Sequence, residues 1–197
     1  QRDWRVPEYI VVPGGNLGNS SAIGKGLIEL KQLGLIDRFP KLLVIQAEGA
    51  SPFYHMLSTG ASDIVPVTQP RTEATAIRIG DPVNWKKALR ALRVTQGLCE
   101  AVTDDQIFEA KAALAKDGVG CEPASAATIA GLKKLIASGA IPRGADVVAI
   151  LTGHQLKDPE SGLRRHSEAE LARQRKHVEA DVNKLRAALE DVLLQTA

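Results

Sequence analysis

The stretch IVVPGGNLGNSSAIGKGLIEL, residues 10–30, decides how the rest of the chain is read. An apolar run of strand length breaks into Gly14, Gly15 and Gly18, and an amphipathic run follows at once. Glycines in such a turn let the backbone come close to a ligand and aim its N–H groups at it. The group most often held at a strand-to-helix turn is a phosphate. Two phosphate motifs fail here. A nucleoside-triphosphate loop needs G-x-x-x-x-G-K-[ST]; Asn19 stands at the first glycine, and Gly26 replaces the magnesium-binding hydroxyl after Lys25. A dinucleotide turn needs G-x-G-x-x-G, which GGNLGN does not supply, and Glu48 after the next strand carries no weight alone. What remains is a compact loop of Gly15, Asn16, Leu17, Gly18 and Asn19. It either cradles a single phosphate monoester or is a glycine-rich turn without a ligand.

Outward from this loop, apolar runs of strand length alternate with longer helix-patterned segments. Strands are expected at 9–13, 42–47, 119–122 and 146–153, and helices at 19–33, 52–58, 83–92, 104–116 and 123–139. Residues 65–82 hold three prolines and little periodicity, so they read as a long excursion. Thr103 and Gln106 in TDDQ form a capping box, and the 123–139 helix has Pro at its start and Gly past its end. DVVAILTG, residues 146–153, is the most strand-like run and is apolar on both faces. Burial on both faces with helices between strands means an α/β fold: a parallel sheet covered by helices on both faces. From Ser167 a second capping box, SEAE, opens a long helix to about Leu194. Leu171, Val178, Leu185 and Val192 recur every seven residues, with Val182 and Leu189 between them and Arg175 interrupting. Such a seam packs on its own domain or forms a subunit contact in a homo-oligomer. The expected division is an α/β domain over 1–160 and a C-terminal helical extension over 161–197.

Composition narrows the classes of partner. With 197 residues, 44% of them hydrophobic, the chain can bury a real core. A net charge of +2 from 25 basic and 23 acidic residues is too balanced for a polyanion binder, and 4% aromatics give no stacking platform for nucleic acid. Cys99 and Cys121 have no CxxC spacing and read as reduced thiols of a cytoplasmic protein, with a single disulfide between them as the alternative. No apolar run reaches membrane-spanning length, so no membrane enters the reading, and no metal site is expected. The opening QRDWRVPEY, without an initiator Met, suggests a start inside a larger protein.

Two further stretches bear on function. AILTGHQLKDP, residues 149–159, puts Thr152 at the carboxyl end of a strand, the edge where open α/β sheets bind ligands. GCEPASAATIAGL, residues 120–132, is a strand-to-helix turn carrying Glu122; its small residues 124–127 read equally well as close packing. VPGGNLGNSSAIGKG, TEATAIRIGDPVNW, CEPASAATIAGLKKL and LTGHQLKDP occur in this order over residues 4–159. In this the chain resembles the threonine synthase family, pyridoxal-phosphate enzymes of the tryptophan-synthase-β-like fold. The resemblance implies pyridoxal 5'-phosphate as cofactor. Its phosphate would accept backbone N–H bonds from Gly15, Asn16, Leu17, Gly18 and Asn19, and Thr152 would face its pyridine nitrogen. The Asn16 side chain would lie near the substrate's phosphate, while His154 reads as a loop residue rather than a base. The implied reaction converts O-phospho-L-homoserine and water to L-threonine and phosphate. A paralogous lyase of the cysteate synthase or threonine dehydratase type is the alternative, and a catalytically inert binding or oligomerisation module a third reading. None of the twelve lysines has the SxKDR-like context of the family's aldimine lysine. The resemblance therefore implies the C-terminal part of the enzyme, a fragment inactive without the N-terminal half that carries that lysine.

Overall fold

Leu42, Leu43, Val44 and Ile45 of one strand are all fully removed from solvent, although successive side chains point to opposite faces. Only an interior strand with a layer packed on each side can do this. That strand is β2, Lys41–Ala47. It pairs in parallel with β1, Tyr9–Pro13, on one side and with β3, Leu98–Val102, on the other; β4, Val147–Ala149, adds in parallel beyond β1. The computed structural model describes residues 3–158, 161 and 180–195. Contacts divide the chain into two units, Gln1–Pro159 and Glu160–Ala197.

The helices of the first unit are α1, Gly18–Gln32; α2, Pro52–Thr59; α3, Trp85–Thr95; α4, Asp104–Lys116; and α5, Pro123–Ala137. They sort onto the two faces of the sheet as the strand alternation dictates. Val11, Leu43 and Ile45 face a core built with Ile107 and Ala110 of α4 and with the alanines of α5. Val12, Leu42 and Val44 face the other core, with Phe53 and Met56 of α2 and Ala88, Ala91 and Leu92 of α3. Gly131 lets α5 lie directly on the Ile45 side chain, where any β-carbon would collide. The capping box at Thr103 forms: its hydroxyl accepts the Gln106 N–H at 3.2 Å, and the Gln106 side chain accepts the Thr103 N–H at 3.0 Å.

Three expectations need correction. Residues 119–122 form no strand; only Cys121 pairs, in an isolated antiparallel bridge with His154. Gly120 and Pro123 flank too short a run for a ladder. The strand expected over 146–153 is limited to Val147–Ala149, and its Val148 is 38% exposed. It is an edge strand, so apolar residues on both of its faces do not mean burial on both. The third is an omission: β3 carries Glu100 in its middle and lies at the other edge, where the apolar alternation is weak. The excursion over 65–82 holds only a 3-10 turn, Thr75–Ile77. It is tied down by Val67 N–H to the Gly80 carbonyl and Arg71 N–H to the Gly49 carbonyl, each 2.9 Å. The Asp104 carboxylate secures it further, accepting the Thr72 hydroxyl and, at 3.0 Å, the Glu73 N–H.

In the second unit α6 covers Val182–Gln195, with the Asp181 carboxylate accepting the Asn183 and Lys184 N–H groups at 3.0 Å; Ala180 and Asp181 are not helical, so the helix expected from Ser167 does not run unbroken to Leu194. The capping box at Ser167 and the seam positions Leu171 and Val178 lie outside the described residues.

One buried amide holds the ends of β1 and β2 in register with the next helix. Gln46 donates to the Gly14 carbonyl at 3.1 Å, and its side-chain oxygen accepts the Phe53 and Tyr54 N–H groups at 3.0 Å. Those two N–H groups open α2 and have no partner within the helix. Gln46→Leu keeps the bulk and removes all three bonds, so urea unfolding is expected to show a loss of about 2–4 kcal/mol. A loss well under 1 kcal/mol would mean that water reaches these groups.

Candidate functional site

The strand order β3-β2-β1-β4 places a reversal between β1 and β4. The chain steps from β1 to β2 to β3 in one direction, then returns to the far side of β1. Connections leaving β1 and β4 at their carboxyl ends therefore diverge, the switch point at which open α/β sheets bind ligands. The glycine loop leaves β1 at this point. Thr152 lies three residues past Ala149, the end of β4, and the Ile150 N–H still bonds the Val11 carbonyl at 2.9 Å. Both sites named from the sequence thus leave adjacent, hydrogen-bonded strands at the same edge of the sheet.

The loop is built to present donors. Gly14 N–H bonds the Ile45 carbonyl at 2.7 Å, closing the ladder. Beyond it, the backbone N–H groups from Gly15 to Ser20 have no hydrogen-bond partner among the described residues; the next bond is Ser21 N–H to the Leu17 carbonyl at 3.1 Å. Leu17 stands at the helix N-cap in the left-handed region, φ 61° and ψ 15°. That conformation is strained for leucine. It is held because the Leu17 side chain is buried against Val12, Leu42 and Val44. A left-handed residue before a helical turn makes successive N–H groups converge, which favours an anion, and the α1 dipole adds to it. Ser20 is fully buried in the first turn of α1, and its hydroxyl is the one buried side-chain polar atom without a partner among the described residues. Donors left open in this way fit a phosphate.

The excursion braces the loop. A β-carbon on Gly15 would lie 3.0 Å from the Ala76 carbonyl oxygen, so the loop backbone sits directly on the 3-10 turn. The Asn16 side-chain oxygen accepts the Val83 N–H at 2.9 Å, and the Asn16 carbonyl accepts the Asn84 amide at 3.1 Å. Asn16 therefore has a structural duty in addition to the one expected of it. Asn84 was not legible as a site neighbour; TEATAIRIGDPVNW appears in the sequence only as an ordered motif without a role.

Opposite the loop, the start of α5 is clipped to the segment after β4. Glu122 N–H donates to the Gly153 carbonyl at 3.0 Å. The Ser125 hydroxyl accepts the Gly153 N–H at 2.8 Å and lies 3.2 Å from the Thr152 hydroxyl. Thr152 itself is exposed. The Glu122 carboxylate lies so close to Gly153 that a β-carbon there would strike it. His154 accepts the Leu156 N–H at 3.2 Å on Nδ1, capping the 3-10 turn Gln155–Lys157, as suits a loop residue. No group of three or more potential metal ligands occurs among the described residues. No helix among them is long and apolar enough to cross a membrane.

Both cysteines are free thiols. Burial pushes the Cys121 thiol up, with Lys111 opposing and the neighbouring Glu122 adding; burial and then Glu100 push Cys99 up. The reactive thiolate is scarce at neutral pH in both. Alkylation by iodoacetamide at pH 7.5 is expected to be slow at Cys121 in the folded chain and fast in urea. Prompt labelling of Cys121 while folded would contradict this packing.

The family model described as "Pyridoxal-phosphate dependent enzyme" matches residues 1–153. The threonine synthase of Methanocaldococcus jannaschii is 47% identical over 193 residues, covering 98% of this chain and 46% of that protein. The threonine synthase of Methanosarcina acetivorans is 52% identical over 162 residues, covering 82% of this chain and 40% of that protein. The chain thus spans less than half the length of these curated relatives. Among solved structures, an L-serine ammonia-lyase from the fungus Rhizomucor miehei shares the fold, with TM-score 0.66 and 20% identity over 83% of this chain and 51% of that one. The chain belongs to the pyridoxal-phosphate-dependent enzyme family.

Proposed function

We propose that this chain supplies the cofactor cleft of a threonine synthase, the whole of which converts O-phospho-L-homoserine and water to L-threonine and phosphate in threonine biosynthesis. The observation that carries the reading is the run of N–H groups from Gly15 to Ser20, without partners among the described residues, at the same sheet edge as Thr152. The names of the curated relatives support the reaction. In this reading Gly15, Asn16, Leu17, Gly18 and Asn19 hold the phosphate of pyridoxal 5'-phosphate by their backbone. Thr152 meets the ring nitrogen with a hydroxyl. The bound cofactor supplies an electron sink for bonds broken next to the substrate's amino group. A hydroxyl partner, unlike a carboxylate, does not hold the ring nitrogen as a cation, so Thr152 moderates that sink. Asn16, with its oxygen committed to Val83, keeps its amide hydrogens for the substrate's phosphate.

The lysine that links to the cofactor lies, in this reading, outside these residues, so the segment alone binds without turning over. The whole enzyme works in the cytoplasm, where thiols such as Cys99 and Cys121 stay reduced. The domain division places the residues named for the cofactor in an α/β domain over 1–160, followed by a helical extension over 161–197.

Pyridoxal 5'-phosphate added to the chain is expected to bind reversibly, with a 31P resonance displaced from that of the free cofactor. Gly15→Val, which forces a side chain against Ala76, should abolish the displacement. Assays of the full-length protein should release phosphate from O-phospho-L-homoserine and little ammonia from L-threonine; the reverse preference would favour the dehydratase reading. Turnover by the isolated chain, with a borohydride-reduced cofactor on one of its lysines, would overturn the assignment of the lysine.

A further inference from the structure

Ser125 is a hydroxyl buried completely in the first turn of α5, between Ala124 and Ala126. Its surroundings offer its proton two acceptors and favour one of them. A serine hydroxyl offers one donor and two acceptor sites. One acceptor site takes the Gly153 N–H at 2.8 Å. Two oxygens compete for the proton: the Gly153 carbonyl at 3.4 Å, which already accepts the Glu122 N–H, and the Thr152 hydroxyl at 3.2 Å. The nearer and less committed acceptor is Thr152. With the Ser125 proton on it, the Thr152 oxygen keeps its own proton to give away. Among the described residues nothing else bonds that hydroxyl.

We propose that Ser125 is a positioning residue: it fixes the rotamer of Thr152 and makes that hydroxyl a donor toward an aromatic ring nitrogen. The proposal rests on the reading of Thr152 as the ring-nitrogen partner. Without Ser125 the Thr152 hydroxyl can turn among its staggered positions and donate to water instead. Ser125 touches neither the ring nor the reacting atoms; it acts through Thr152 and through the Gly153 backbone. The segments that meet here also carry Cys121, Glu122, His154, Lys157 and Asp158, which remain in every variant compared and so do not produce a difference between them.

The test uses 4-deoxypyridoxine 5'-phosphate, which has the ring nitrogen and the phosphate but no aldehyde to react with lysines. Its affinity for the chain is measured by fluorescence quenching, and protonation of the bound ring nitrogen is followed by ultraviolet absorption against pH. A donor facing the nitrogen favours its unprotonated form, so the bound nitrogen should protonate at lower pH than in the free probe. Thr152→Val should weaken binding and return the titration toward that of the free probe. Ser125→Ala should weaken binding about three- to tenfold, the worth of one hydrogen bond, and move the titration the same way. The double variant should be no weaker than Thr152→Val alone. Ser125→Cys fills the site with a somewhat larger atom that donates weakly; it serves the same comparison should the alanine variant fail to fold. Additive losses, or an unchanged titration in the Ser125 variants beside a changed one in Thr152→Val, would overturn the positioning role. No change in Thr152→Val would instead overturn the reading of Thr152. Failure of the unaltered chain to bind the probe would overturn the cofactor reading and this inference with it.

Discussion

Parallel pairing of β1 with β4 is the constraint on which the rest depends. Val11 stands opposite Ala149 in that ladder, so whatever follows the two strands must emerge side by side. Because the chain reaches β4 only after stepping outward through β2 and β3, the two exits turn away from each other at a topological switch point. This divergence is a property of connectivity rather than of any one side chain. β2, buried on both faces, marks the interior of the sheet, and the later strand adds beyond β1. A short β4 suffices, since its task is to aim the residues after it.

Stability and site formation meet in the loop. A buried leucine in a left-handed conformation, and a serine and a run of N–H groups without partners among the described residues, are each unfavourable in isolation. They occur together because neighbouring elements over-determine the backbone. Gln46 holds the Gly14 carbonyl, the 3-10 turn at Thr75–Ile77 backs Gly15, and Asn16 is pinned to Val83 and Asn84. The donors are therefore held in place by the rest of the fold, and an anion bound there would not have to order them.

Much of this was legible in the residues. The glycine loop, the helices on either side of the excursion and the Thr103 capping box all follow from local rules of turn, period and cap. The α/β class follows from their alternation. What escaped had long-range causes. Apolar residues on both faces of 146–153 looked like central burial, but only the strand order reveals an edge. LCEAV at 98–102 carries a glutamate where a strand interior is expected to be apolar, and Glu100 is accommodated because Lys134 from α5 meets it at 3.0 Å. Gln46 is invisible in the sequence as a strut, since its partners Gly14 and Phe53 come from separate elements. The order of four motifs in the chain identified a family, whereas spacing alone left the loop open between ligand and bare turn.

The clip between α5 and the segment after β4 explains why small residues crowd both. Gly153 must lack a side chain because the Glu122 carboxylate occupies that space, and its N–H and carbonyl are bonded to Ser125 and Glu122 respectively. Thr152 is thereby the last residue of a strand extension whose backbone is anchored on one side by Val11, through Ile150, and on the other by α5. Alanines 124, 126 and 127 allow α5 to approach closely enough for that anchoring while filling the core beneath. The stretch that reads as plain packing and the stretch that reads as a site are one construction. Close approach of the helix is what turns an exposed threonine after a short edge strand into a group of fixed direction.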